Sequence, residues 1–201
     1  MDDKLKTMNP EETARVLQEV AERSAKLLGE LANKDHASSL SEAASDELGI
    51  AKAYMDLYSK MLSNPAGLAA FSTNLMIDYM QLWQSSWMKM LGVQSAPVAL
   101  PAKGDGRFRD DSWSSNFLFD YMKQSYLIAS RHIQHAVANV EGLSPESEKK
   151  VAFFTRQYVD ALSPSNFALT NPQVLRETVA SGGQNLLKGL NNLLSDMEKG
   201  G

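Results

Sequence analysis

Residues 151–172 read Val-Ala-Phe-Phe-Thr-Arg-Gln-Tyr-Val-Asp-Ala-Leu-Ser-Pro-Ser-Asn-Phe-Ala-Leu-Thr-Asn-Pro, and this stretch decides the fold. Val151, Phe154, Tyr158 and Leu162 fall at steps of three and four residues, which puts one apolar stripe on an α-helix. Ser163-Pro164 stops that helix, because a proline drives the residue before it out of the helical region. Asn171-Pro172 starts another: Asn171 can cap it, and Pro172 suits the first helical position, whose amide has no intrahelical partner to lose. Two helices joined by an ordered corner predict an all-α chain.

Inside the corner, Phe167 and Leu169 stand among Ser165, Asn166, Thr170 and Asn171. The apolar pair is expected to turn inward, while the side-chain amides bond backbone groups left open at the two helix ends. Arg156 and Asp160 are four residues apart, a spacing worth about 0.2–0.5 kcal/mol as a solvated pair unless one of them reaches beyond its own helix. No nucleophile lies beside the corner, so it reads as a packed junction.

Downstream, a short helix ends at Ser181-Gly182-Gly183, where glycine supplies a left-handed cap. A last helix follows with Leu186, Leu187, Leu190, Leu193, Leu194 and Met197 at helical steps. Upstream, Ser144-Pro145 caps the helix of the opening stretch. Before it, one long helix is expected over about Ser115 to Val140, with Leu118, Tyr121, Ser125, Ile128 or Ala129, His132 and Ala136 near one face. His132 and His135 lack a third ligand in any arranged spacing, so no metal is expected.

Pro97, Pro101, Gly104 and Gly106 make the segment from Gly92 to Asp111 a connecting stretch. Gly104-Asp105-Gly106 is no dinucleotide loop, since Arg109 stands where a third glycine is needed and no strand precedes it. No cofactor is expected.

Three amphipathic helices form the leader. The first, Asn9 to about Asn33, has Asn9, Pro10 and Glu12 as start signals and Ala14, Leu17, Ala21, Leu28 and Leu31 as a thin stripe. The second starts with a Ser39/Glu42 capping box and carries Leu48, Ala51, Met55, Tyr58 and Leu62 as its apolar side. The third begins at Asn64-Pro65 and runs to about Leu91. Between Lys60 and Lys89 the only charge is Asp78, while Phe71, Leu75, Tyr79, Leu82, Trp83 and Trp87 are all present. Asp78, Asn74 and several serines and glutamines break any run of about 18 apolar residues, so this helix does not span a membrane. Its stripe either faces a helical core or docks on an apolar surface.

Composition excludes several classes. With 201 residues, 43% apolar and 22% charged, the chain reads as a soluble globular protein. No cysteine is present, which removes disulfides and thiol chemistry. The first hundred residues hold 9 basic and 13 acidic side chains and the rest 11 of each, so no basic field suits nucleic acid. The start, Met1-Asp2-Asp3-Lys4-Leu5, has no signal-peptide core and predicts the cytoplasm.

The run from Phe154 to Phe167, with Thr170-Asn171-Pro172, resembles the N-terminal domain of poly(3-hydroxyalkanoate) synthases, the bacterial polyester polymerases. Further blocks match in order: Asp105-Gly106-Arg107-Phe108 with Trp113, Tyr121 to Leu127, Ser181 to Leu186, and Asn191 to Glu198. The likeness covers roughly residues 104–200, and the first 95 or so match only loosely. It implies an all-α multi-helix bundle with an N-terminal extension of amphipathic helices, divided as a leader (1–95), a linker (96–112) and a helical domain (113–201).

The resemblance further implies a noncatalytic domain that supports dimerisation, stabilises the catalytic domain of the same synthase, and directs it to polyester granules or their phasin-type coat proteins. The family's catalytic cysteine elbow has no counterpart here, so the chain is expected to be the N-terminal portion of a longer enzyme. Candidate interaction or structural residues are Phe71, Tyr79, Trp83 and Trp87 in the leader; Phe108 and Trp113 as anchors; Tyr126 in the long helix; and Arg156, Tyr158, Asp160, Asn166, Phe167 and Asn171 around the corner. The competing reading is a stand-alone phasin-like granule protein, which explains the low-charge leader but not the corner.

Overall fold

The structure is a computed structural model that describes residues 37–199 together with Arg15, Gln18 and Glu22. The chain is all-α: among the described residues there are seven α-helices and one 3-10 turn, and no strand. In order these are α1 (Ala37–Leu62), α2 (Pro65–Met90), α3 (Ser112–Ser115), α4 (Phe117–Ala138), α5 (Pro145–Ala161), the 3-10 turn (Pro164–Asn166), α6 (Pro172–Ser181) and α7 (Gln184–Lys199). The helix expected over residues 9–33 lies outside the described residues, apart from the exposed helical positions Arg15, Gln18 and Glu22.

Side-chain caps start three of the helices. Asn64 accepts from Gly67 N at 2.9 Å before α2, Asn116 from Leu118 N at 3.0 Å before α4, and Ser144 from Ser147 N at 3.1 Å before α5. Each such cap contributes about 1 kcal/mol. Asn116 also corrects the expectation of one helix from Ser115 to Val140. Its extended backbone (φ −96°, ψ 125°) ends α3 and its side chain caps α4, so Leu118 falls in an exposed first turn.

Residues Ser41–Pro172 form one compact unit with α4 as its hub. Ile128 of α4 packs with Leu82 of α2 and Ala99 of the segment between α2 and α3. Toward its other end, Val137 joins Ala53 and Leu57 of α1 and Val151 of α5 in a second cluster. Burying a side chain such as Leu82 or Ile128 contributes about 1.5–3 kcal/mol. Among the described residues, no helix is long and apolar enough to cross a membrane.

Two helices present a different face to this core than their stripes suggest. In α1, Ala53, Tyr54, Leu57 and Met61 turn inward, while Met55, Tyr58 and Leu62 are exposed. Both sets have helical spacing, and the set containing Ala53 and Leu57 is the one that meets Val137 and Val151. Ala37 is already helical, so Ser39 lies inside α1 rather than at the position before it that a capping box requires. In α5 the buried line is Val151, Thr155 and Val159, with Phe154 half-buried and Tyr158 and Leu162 exposed. Thr155 is tolerated inside because its hydroxyl meets the Tyr54 hydroxyl at 2.9 Å.

At the corner, Ser163 and Pro164 fill the buried positions. Phe167 and Leu169 point outward, at 48% and 81% exposure, against the expectation that they turn in. The amides behave as expected. Asn166 Nδ2 donates to the Asp160 and Ala161 carbonyls at the end of α5, at 2.9 and 3.1 Å. Asn171 Nδ2 donates to the Ser165 carbonyl at 2.7 Å, and Thr170 Oγ1 to the Pro164 carbonyl at 2.6 Å.

The described residues from Gln173 on belong to a second unit. There α6 ends on Gly182 and Gly183, both at positive φ (60° and 89°), and Gly183 N donates to the Thr178 carbonyl at 2.9 Å. This is the left-handed helix cap that the glycine pair predicts.

Candidate functional site

Arg107 leaves the irregular segment before α3 and ties three parts of the chain together. Its Nε and Nη2 donate to the two oxygens of Asp105 at 2.9 and 2.8 Å, a bidentate clamp. Its Nη1 donates to Tyr126 Oη of α4 and to Asp160 Oδ1 of α5, both at 2.9 Å. Tyr126 Oη in turn donates to the Val159 carbonyl at 3.1 Å. The guanidinium also lies over the Phe108 and Tyr126 rings, 5.7 and 5.5 Å from their centroids. Hydrogen bonding from Arg107 holds the Asp105 carboxyl below the usual carboxylate range, and the same bond raises the pKa of Arg107. Arg156, the expected partner of Asp160, stands 3.9 Å away and is loosely engaged.

Beside this knot, Phe108 meets Trp113 edge-on at 5.0 Å, and Trp113 meets Phe119 at 5.7 Å. Trp113 is 1% exposed and closes the segment over α4. A buried polar cluster on α4 holds the same segment from below. Asp120 accepts from Lys89 at 2.6 Å, Lys123 at 3.1 Å and Gln124 at 2.9 Å. Lys123 donates onward to the Trp113 carbonyl at 2.7 Å, and Gln124 Oε1 accepts from Val98 N and Ala99 N at 2.7 and 3.2 Å. Each member has partners, so these buried polar groups fix register without an unpaired charge.

Helix α2 has two unlike faces. Inward, Leu82 is buried, Tyr79 Oη donates to the Ser125 carbonyl at 3.2 Å, and Phe71 meets the His132 ring edge-on at 6.2 Å. Asp78 binds His132 Nε2 at 2.6 Å and Arg131 at 2.9 Å. Burial pushes its carboxyl up, but the His132 and Arg131 hydrogen bonds and charges outweigh burial and hold it below the usual range. Outward, Trp83 and Trp87 stack at 6.2 Å and are 64% and 50% exposed. Met76, Ile77 and Met80 continue this uncharged surface as an open groove of about 650 Å³.

The structure thus gathers Phe108, Trp113, Tyr126 and Asp160 around Arg107, and places Phe71 and Tyr79 against α4. Asn166 and Asn171 brace the corner. Trp83, Trp87, Tyr158 and Phe167 stand apart from these groups, facing outward. Sequence reasoning did not single out Arg107, Lys89, Asp120, Lys123 or Gln124 as site residues. A signal existed: Asp120 and Gln124 precede Ile128 at four-residue steps, so two polar side chains occupy core register on α4.

Residues 104–201, which open with Asp105 and Arg107 and carry the braced corner, match the family described as Poly-beta-hydroxybutyrate polymerase (PhaC) N-terminus. Residues 104–201 are a domain of that family. It is 39% identical over 140 residues, 70% of its length, to the poly(3-hydroxyalkanoate) polymerase of Methylorubrum extorquens, of which the match covers 23%. It is 38% identical over 139 residues to the poly(3-hydroxyalkanoate) polymerase subunit PhaC of Rhizobium meliloti, covering 69% of the chain and 23% of that relative. The Cupriavidus necator subunit PhaC is 30% identical over 136 residues, 68% of this chain and 22% of its own. The chain therefore spans about a quarter of the length of the curated polymerases it matches. At 70% of the chain, the first of these matches is longer than the span from 104 to 201, so it takes in α2 as well. The likeness to polymerases reaches further into the leader than a start near residue 104 implies. No solved structure matches the chain.

Proposed function

We propose that this chain is the noncatalytic N-terminal region of a poly(3-hydroxyalkanoate) polymerase and that it works by docking. The observation that carries the reading is the outward face of α2, where Trp83, Trp87, Met76 and Met80 lie exposed and uncharged on a helix whose other face is committed to α4. Methionine adapts to irregular apolar surfaces and tryptophan tolerates a wet edge, so such a face suits the polyester granule or the proteins that coat it. Acyl transfer then belongs to the remainder of the polymerase, which this region stabilises and helps to dimerise. The outward stripe of α1 and the exposed Phe167 and Leu169 offer further apolar surfaces for those contacts. In this reading residues 1–95, 96–112 and 113–201 act as leader, linker and helical domain, while residues 41–172 pack as one unit.

Two experiments test this reading. A fluorescent fusion in granule-forming cells is expected to mark granules, and Trp83→Glu with Trp87→Glu to disperse it; equal granule localisation of both would remove those tryptophans from the account. The chain alone is expected to release no coenzyme A from 3-hydroxybutyryl-coenzyme A, and measurable turnover would overturn the noncatalytic assignment.

A further inference from the structure

A cavity of about 470 Å³ opens where the end of α1, the first turns of α2 and the last turn of α4 converge. That volume lies within the roughly 300–1,000 Å³ of small-ligand sites. Met61, Leu68, Phe71, Ala136 and Val140 give it largely apolar walls. Lys60 stands on its lining, half-buried, and its ammonium makes no ion pair or hydrogen bond among the described residues. The end of its side chain lies beside the turn after α4: a Cβ added at Gly142, which has φ +83°, would meet Lys60 Nζ at 3.4 Å and Cε at 3.5 Å. Asn64 and Gly67 bring the positive end of α2 to the same lining. Glu141 also lies on the lining, but it is solvent-exposed, where its charge is screened.

Ser63, Asn74, His132, His135 and Asn139 make up much of the remaining lining. A chamber with an apolar side and an uncommitted, partly desolvated ammonium offers that cation a counter-charge only when a ligand brings one. We infer that this cavity binds an anionic amphiphile, a straight-chain carboxylate whose tail lies against Met61, Leu68 and Phe71 and whose head accepts from Lys60 Nζ. The cavity shares no lining residue with the groove that Met76, Met80 and Trp83 form on the outward face of α2.

The test is calorimetric titration of the 201-residue chain with decanoate, decan-1-ol and decylammonium below their micellar concentrations. One decanoate per chain is expected, with decylammonium at least about tenfold weaker and Lys60→Gln weakening decanoate about tenfold, the size of one charge-assisted hydrogen bond. Ala136→Trp, which fills the chamber, is expected to abolish decanoate binding while helical circular dichroism is retained. Lys60→Gln lies on the lining and leaves both core clusters intact, so it serves if Ala136→Trp does not fold. Equal binding of decanoate and decylammonium, an unchanged affinity in Lys60→Gln, or decanoate binding to folded Ala136→Trp would each overturn the inference.

Discussion

Arg107 and Asp160, 53 residues apart in sequence, are joined by a 2.9 Å ion pair that fastens the segment before α3 to α5. Asp105 fixes the guanidinium plane and Tyr126 takes the same Nη1, so a single side chain sets the placement of three elements. Lysine cannot reproduce that fork. Arg107→Lys is expected to lower the unfolding free energy by about 1–2 kcal/mol in urea, discounted for the partial exposure of Asp160. An unchanged urea midpoint would show that the knot is ornamental.

Asp105 gives the knot a pH dependence. Its folded-state pKa lies below the ordinary aspartate value, because Arg107 hydrogen-bonds the charged form. A depressed carboxyl contributes stability that is complete above its unfolded value and is lost as pH falls through the folded one. Asp105→Asn is therefore expected to be less stable than the parent at about pH 5 and above, with the gap narrowing as pH falls below the ordinary carboxylate value of about 3.9. A gap independent of pH, followed by urea unfolding across that range, would contradict the assignment.

Gln124 is 0% exposed and satisfies two backbone amides as well as Asp120. Gln124→Leu leaves Val98 N and Ala99 N without their acceptor, at an expected cost of about 2–3 kcal/mol, whereas Gln157→Leu on the exposed side of α5 should change stability by less than about 0.5 kcal/mol. Equal midpoints for the two variants would argue that the segment over α4 is held by other contacts.

The three tryptophans differ enough in burial to be told apart by fluorescence. Trp83 and Trp87 are exposed and Trp113 is 1% exposed. Replacing both Trp83 and Trp87 with Phe should leave a blue-shifted emission from Trp113 that resists acrylamide quenching. Emission typical of a water-exposed indole would contradict the closure of Trp113 beneath Phe108.

The helical fold could be read from the chain because its punctuation is local: Asn64-Pro65, Ser144-Pro145, Ser163-Pro164 and Gly182-Gly183 each act through the backbone of a few neighbouring residues. The facing of helices was less accessible. In α1 two apolar stripes compete, and only packing against Val137 and Val151 decides for Ala53 and Leu57 over Met55 and Tyr58. In α5 the hydroxyl of Thr155 is acceptable inside because Tyr54, 101 residues away, meets it. The Arg107 knot and the Asp120 cluster likewise depend on partners distant in sequence, which no short motif announces. Trp83 and Trp87 were legible as a candidate surface because the helix carries more large apolar side chains than one buried face can hold.

The most direct test of docking by the α2 face is co-sedimentation of the purified chain with amorphous poly(3-hydroxybutyrate) particles. Trp83→Glu with Trp87→Glu is compared alongside, its fold checked by the emission of Trp113. The parent is expected to pellet with the polymer and the folded double variant to stay in the supernatant. Equal pelleting of both, or failure of the parent to pellet with bare polymer and with polymer carrying its coat proteins, would contradict the account.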